Sequence, residues 1–231
     1  MMATAREVGR VAALWRYPVK SMAAQELSAV HVSWWGLVGD RRWAFIRPGQ
    51  ERNDFPWLTL RQRPDLYRYR PAFTDPDRPD SSVTLVRTPS GHVYDVADPV
   101  LAAELGPDVR VIKQSRGVFD IMPVSLLTTG SVAALGDGTL APGRFRPNVL
   151  VEGSCEDSWV GRTLRIGDVR VRIDTRTRRC AVVNVDPVTT ERDREVLRAV
   201  VRERNLWLGV YGSTVAYGTV AVGDPVVLEP T

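Results

Sequence analysis

The residues best able to do chemistry gather between positions 144 and 187. Arg144-Phe145-Arg146-Pro147-Asn148 is followed by Glu156-Asp157-Ser158-Trp159, then by Arg178-Arg179-Cys180 and Val185-Asp186-Pro187. Arg170, Arg172, Arg176, Arg178 and Arg179 all fall within ten residues of Cys180. Nearby positive charge favours the thiolate, which attacks electrophiles and binds soft metals. The competing reading is a small buried apolar cysteine, the usual state of a free thiol. Cys155 is followed by Glu156 and Asp157, which work against ionisation, and it reads as incidental.

Further candidates lie upstream. In Tyr17-Pro18-Val19-Lys20-Ser21 the proline keeps Tyr17 extended. Lys20 and Ser21 then present an ammonium and a hydroxyl past a strand end. That pair suits a phosphate or a pterin carbonyl, and it is equally the composition of a solvated turn. Gly39-Asp40-Arg41 reads as a local ion pair that fixes a loop. Arg144 and Arg146, one residue apart in an extended segment, are expected to point to opposite sides, so that one reaches an anion. Arg146 offers a planar fork for phosphate, and Asn148 offers donor and acceptor to a heterocycle edge. The bland alternative is an arginine-rich surface strand. Asp120 either caps the segment after it or hydrogen-bonds a ligand.

Composition narrows the function classes. The chain has 231 residues and a formal charge of +4, enough length for one large domain or two small ones. Of 31 basic residues only Lys20 and Lys113 are lysines, so a lysine at position 20 suggests a need for a point charge. Basic residues are not interleaved with aromatics in blocks, which argues against nucleic acid. No apolar run reaches the roughly 18 residues of a membrane span, and none is expected. Two cysteines make no disulfide framework, and the start lacks a secretory apolar block. These points lead us to expect a reducing, cytoplasmic setting. His31 and His92 lie in strand-like runs without metal-ligand spacing and read as surface residues.

The elements that must position these groups are mostly strands. Gly9 to Arg16, Leu27 to Trp34 and Arg42 to Ile46 have strand patterns, and 83–96 reads as a hairpin about Pro89-Ser90-Gly91. Asp98-Pro99 opens a short helix that ends before Gly106. Residues 71–82 read as a surface loop, and a composition break falls near 114–122. Beyond it the pattern predicts a helix over 126–135, a hairpin over 162–173 turning at Gly167-Asp168, and an amphipathic helix over about 190–204 with Val196, Leu197, Val200 and Val201 on one face. Two or three strands follow from Leu206 to Leu228. The expected class is mainly β with a few helices (α+β), without the βαβ alternation of a nucleotide fold.

Taken in order from about residue 8 to about residue 229, the motifs resemble the MOSC domain family. Tyr17-Pro-Val-Lys-Ser21, Gly36-Leu37 and Gly39-Asp-Arg41 look like its N-terminal β-barrel domain. Phe145-Arg-Pro-Asn148, Glu156-Asp-Ser-Trp159, Arg179-Cys180, Val185-Asp-Pro187, Gly218 and Val222-Gly-Asp224 look like the MOSC (molybdenum cofactor sulfurase C-terminal) domain. In kind the chain is similar to mitochondrial amidoxime-reducing components and their bacterial counterparts. The resemblance implies an N-terminal β-barrel domain over 1–115 and a MOSC β-barrel domain over 116–231. It implies a molybdenum–molybdopterin cofactor between them, with Cys180 as the molybdenum ligand. Lys20, Ser21, Arg41, Arg146, Asn148 and Arg179 would hold pterin and phosphate, with Asp120 a neighbour. It implies reduction of small N-hydroxylated or N-oxide-type substrates by oxygen-atom removal. Relatives with an iron–sulfur domain need four cysteines, so electrons are expected from a separate ferredoxin- or cytochrome-type donor protein. A monomer is expected. The alternatives are a carrier holding sulfur as a Cys180 persulfide and a non-catalytic β-domain. Relatives often carry small or polar residues before the Arg-Cys pair, whereas Arg176-Thr177-Arg178 stands here. Such arginines could narrow the substrate mouth or favour an anionic substrate.

Overall fold

The apolar run around Gly9 forms the longest strand, Arg6–Arg16, of 11 residues. Its length matters because it pairs on both sides. The computed structural model describes residues 5–136 and 138–230. In it Arg6–Arg16 runs antiparallel to Val149–Glu152 on one side and to Pro225–Leu228 on the other. Between those partners the sheet continues through Val124–Thr128, Trp207–Ala216, Val169–Arg178 and Thr163–Ile166. The result is a mostly β protein built on a closed barrel of seven strands. A barrel has no exposed sheet edge, and interior positions alternate with exterior ones. Val11, Leu14, Leu126, Val151, Leu164, Val171, Ile173, Val210 and Val226 fill the interior.

The barrel therefore takes its first strand from the start of the chain and six from beyond residue 123. Two β-bulges, at Glu7/Gly9 and Val11/Ala13, bend that first strand between its neighbours. Gly9 is required at the first of them, since a Cβ there would lie 2.1 Å from the Glu152 carbonyl oxygen. The strand ends at Arg16, so Tyr17 to Ser21 emerge at one mouth of the barrel.

Most of the remaining N-terminal residues build small antiparallel sheets around a second core of Val19, Met22, Phe45, Leu60, Leu66, Val86 and Leu101. The hairpin Thr84–Arg87 with Val93–Asp95 forms as its turn residues dictate. The helix Pro99–Leu105 starts at Asp98, whose carboxylate accepts from Val100 N. The hairpin of Thr163–Ile166 and Val169–Arg178 turns at Gly167-Asp168. His31 and His92 are exposed. Among the described residues no helix is long and apolar enough to cross a membrane.

Three expectations are corrected. The stretch 126–135 is not one helix. Val124–Thr128 is a strand, buried at every position and parallel to Val149–Glu152, and only Thr129–Ala133 is helical. A strand covered on both faces is a continuous apolar run, which periodicity does not separate from a buried helix. The stretch 71–82 is not all loop, because Arg70–Phe73 pairs with Thr84–Arg87. The long amphipathic helix starts later, at Arg194, where Asp193 accepts from Glu195 N, and Val201 is 47% exposed rather than on the buried face.

Gly9→Ala tests the barrel closure. The added methyl would strike the Glu152 backbone, and we expect a loss of more than about 1 kcal/mol, read as a lower urea midpoint. An unchanged midpoint would show that the bulge tolerates a side chain.

Candidate functional site

A cleft of about 280 Å³ opens where the residues after the first barrel strand meet the ends of the later strands. Lys20, Ser21, Arg41, Asp120, Arg146, Arg179 and Cys180 all line it. Seven basic side chains and a single carboxylate, Asp120, face this space. Asn148 is the exception among the expected residues, because it lies behind the cleft and not on its wall.

The arrangement is built outward from Asp40, which is wholly buried. Its Oδ1 accepts from Tyr17 N at 2.7 Å. Its Oδ2 accepts from Arg41 Nη1 and from Asn148 Nδ2, the latter at 3.1 Å. Asn148 is fully used: its oxygen accepts from Ser125 N at 3.2 Å and Ser125 Oγ at 2.9 Å, and its amide also donates to Trp15 O at 3.2 Å. It has no spare donor or acceptor for a heterocycle. Its work here is to hold Arg41, whose Nη1 reaches Asn148 Oδ1 at 3.3 Å and whose Nη2 reaches Arg146 O at 3.2 Å. Gly39-Asp40-Arg41 is thus a local ion pair, as its sequence suggests, but a buried one at the back of the cleft.

Arg41 and Arg146 both adopt left-handed backbone conformations, with φ of 49° and 54°. Such conformations cost non-glycine residues of order 1 kcal/mol or more and persist where the surroundings hold them. The strand begins at Val149 as expected, but the segment before it, expected to be extended, is a 3-10 turn, Pro142–Phe145, followed by that left-handed residue. The two arginines do separate. Arg144 turns to Asp186 Oδ2 at 2.6 Å. Arg146 lays its guanidinium 4.2 Å from the centre of the Tyr17 ring, with Arg41 at 4.5 Å from the same ring. Burial pushes the Tyr17 hydroxyl's pKa well up, against the pull of these two cations, and the hydroxyl donates to Pro147 O.

Lys20 Nζ donates to Asp120 Oδ1 at 2.5 Å and to Val118 O at 3.2 Å. Burial lowers the Lys20 pKa despite Asp120. For Asp120 burial acts upward, but the Lys20 ammonium and the more distant Arg41 and Arg146 prevail and hold it below the usual carboxylate value. Arg179 reaches Leu208 O at 2.7 Å and Phe145 O at 2.8 Å, and burial lowers its pKa.

Cys180 is partly buried in extended backbone just before the 3-10 turn Ala181–Asn184. The arginines nearby in sequence mostly do not surround it. Arg170 pairs with Glu229, Arg172 with Asp174, and Arg176 with Asp157 while facing the Trp207 ring. Arg178 and Arg179 line the cleft. The guanidinium nearest in effect to Cys180 is that of Arg61, which lines the same cleft, whose pKa the neighbouring thiol raises, and which the sequence did not single out. Phe55, Thr177 and Tyr211 were missed as well. No motif marks Arg61 or Phe55, and only the fold places them. The thiol read as incidental also has a partner: Cys155 Sγ takes both Arg204 Nη1 and Nη2 at 3.3 Å.

The residues fit an anionic, metal-bearing ligand. Arg146 Nη1 and Nη2 are buried without a hydrogen-bond partner, as is Thr177 Oγ1. Buried donors left unpaired are costly and mark places where a ligand supplies acceptors. Guanidinium forks suit phosphate, and thiolate sulfur suits a soft metal.

Two predictions follow from this geometry. Asp40→Ala leaves Arg41 buried and unpaired and should cost about 3–5 kcal/mol in urea unfolding. A cost under about 1 kcal/mol would remove Asp40 from the centre of the site. The second concerns pH. A depressed Asp120 pKa means that the pair's stabilisation is complete above the unfolded value of 3.8 and is lost as pH falls through the folded value. The melting-temperature gap between wild type and Asp120→Asn should hold constant at neutral pH and close below about pH 4. A gap that widens in acid would refute the assignment.

Comparison with known proteins agrees with this layout. The model for the MOSC N-terminal beta barrel domain matches residues 8–101, and the model for the MOSC domain matches residues 120–227. Mitochondrial amidoxime reducing component 2 of Bos taurus is 24% identical, over 96% of this chain and 83% of its own length. Mitochondrial amidoxime-reducing component 1 of Homo sapiens is 27% identical, over 96% of this chain and 84% of its own length. A molybdenum cofactor sulfurase of Drosophila grimshawi is 26% identical, over 91% of this chain and 33% of its own length. The crystal structure of the YUAD protein from Bacillus subtilis shares the fold, with a TM-score of 0.54 and 12% identity over the whole of both chains. With both domain models matched in order over most of its length, this chain belongs to the MOSC domain family and carries that family's N-terminal β-barrel domain ahead of its MOSC domain.

Proposed function

We propose that this protein is a molybdenum-cofactor-dependent oxidoreductase that reduces small N-hydroxylated or N-oxide-type compounds with electrons from a separate redox protein. The observation that carries this reading is the Cys180 side chain opening on the same cleft as the unpartnered guanidinium of Arg146. The family assignment and the likeness to amidoxime-reducing components and to a molybdenum cofactor sulfurase support it.

A molybdenum–molybdopterin cofactor, when bound, supplies the two-electron chemistry of oxygen-atom removal. The chain's own residues bind and orient. Cys180 would give its sulfur to the metal. Arg146 would offer its two free nitrogens to the phosphate, with Lys20 and Ser21 beside them. Arg41 and Arg179 would line the pterin side, each already fixed by protein acceptors. Asp120 would keep the Lys20 ammonium in place, and Asn148 would act from behind by holding Arg41. Fixed groups of this kind need little reorganisation when charge develops.

Freshly purified protein should contain molybdenum by elemental analysis and reduce benzamidoxime when given a chemical reductant. Cys180→Ser should lose metal and activity while keeping its circular dichroism spectrum. Lys20→Ala and Arg146→Ala should each weaken cofactor retention by about 1.5–3 kcal/mol, the worth of a charge-assisted contact. Full metal content in all three variants would refute the assigned pocket. A sulfur adduct on Cys180 by mass spectrometry, with no molybdenum, would replace the reductase with a sulfur carrier.

A further inference from the structure

Arg61 is the exposed cation that enters the cleft from the N-terminal half of the chain, opposite Arg178 in sequence origin. Its guanidinium lies at the mouth, exposed, on the Cys180 side chain. Among the described residues no carboxylate pairs with it, since Asp120, the carboxylate they contribute to the cleft, is taken by Lys20. Its backbone is held tightly even though its side chain is exposed. Arg192 Nη2 donates to Arg61 O at 2.9 Å. Gln62 Oε1 accepts from Thr59 N at 3.0 Å and Thr59 Oγ1 at 2.9 Å, and Leu58 N donates to Phe45 O at 2.7 Å.

The same pinned segment carries Phe55, which keeps 38% of its surface exposed inside the cleft. Lys20 Nζ lies 5.3 Å and the Arg61 guanidinium carbon 6.0 Å from the centre of its ring. A partly exposed aromatic ring with cations close by receives planar molecules on its open surface and favours those carrying negative charge. It disfavours cationic ones by like-charge repulsion. Arg176, a candidate from the sequence for the same selectivity, is spent on Asp157.

We propose that Phe55 and Arg61 form a substrate subsite that selects planar aromatic compounds bearing a carboxylate or similar anionic group. As a substrate subsite this rests on the reductase reading above. Phe55 stacks on the ring, and Arg61 swings from the sulfur to grip the anion as a fork.

The test uses the metal-loaded protein and two probes that are not reduced, benzoate and benzamidine. Isothermal titration should find benzoate bound at least about tenfold more tightly, the lower end of what one charge-assisted contact supplies. Arg61→Ala should abolish that preference, Arg61→Lys should restore part of it, and Phe55→Ala should weaken both probes. Steady-state kinetics should show the same order: kcat/KM for 4-carboxybenzamidoxime above that for benzamidoxime in wild type, with the advantage lost in Arg61→Ala through KM. Molybdenum content should be equal in all variants. Equal binding of the two probes to wild type, or an unchanged ratio in Arg61→Ala, overturns the subsite. If neither amidoxime is reduced while the benzoate preference and its loss in Arg61→Ala persist, the reductase reading fails and the anion subsite stands.

Discussion

The site depends on a carboxylate with no contact to solvent. Asp40 is 0% exposed, and an ionised group there is tolerable only if it is fully met by donors. Three donors meet it, and they come from three distant stretches: the end of the first barrel strand at Tyr17, the turn at Arg41, and Asn148. Satisfying one buried charge therefore fixes three segments against each other. Arg41 is held between Asp40 and Asn148. Its guanidinium is aimed across the Tyr17 ring towards the region Arg146 occupies from the other side. Asp40 serves the cleft by orientation, from behind its wall, and leaves the cavity itself rich in positive charge.

That positive charge is an arrangement in need of a partner. Arg41, Arg146 and Arg179 line one cavity, and the pKa of Arg179 is lowered by burial. Lys20 is desolvated beyond what Asp120 repays. Among the described residues two nitrogens of Arg146 have no hydrogen-bond partner, and its guanidinium rests against the rings of Tyr17 and Tyr67. Cation–aromatic contacts are worth about 0.5–2 kcal/mol, less than a charge-assisted hydrogen bond to phosphate supplies. A multiply charged anion would offset the excess of positive charge and supply the missing acceptors together. Anything that binds only the folded state stabilises it by mass action. Ligand affinity and folding stability are accordingly linked through the same few side chains.

Sequence reading reached the cleft through short motifs in the order of the family they resemble, and erred where the fold redirects it. Cys180, Lys20, Ser21, Arg41, Arg146, Arg179 and Asp120 are legible because their short motifs match, in order, the family the chain resembles, and all seven line one cavity. Asn148 was legible as a polar residue of consequence, but its partners were not, since Ser125 and Asp40 lie far from it in sequence. The arginines before Cys180 misled for a definite reason. Along Val169–Arg178 successive side chains alternate faces, so arginines at 170, 172 and 176 meet Glu229, Asp174 and Asp157 on the outside. Val124–Thr128 was mistaken for helix because both of its faces are covered. The buried run lacks the alternation that a half-exposed strand shows.

Arg61 and Phe55 expose what no local pattern carries. Arg61 meets Cys180 from 119 positions away, and the meeting depends on how the barrel closes. The first strand is a stave of the barrel, and the residues after it must leave at the mouth where the later strands end. The N-terminal wall of the cleft is therefore not a lid hinged on a finished barrel. It is tied at the barrel by the strand Arg6–Arg16, at the back by Asp40, and at the rim by Arg192 on Arg61 O. With three such ties the walls cannot part without breaking barrel hydrogen bonds or exposing a buried charge. A substrate subsite at this mouth would then work through side chains moving on a fixed frame, and the exposed guanidiniums of Arg61 and Arg178 have the freedom to do so.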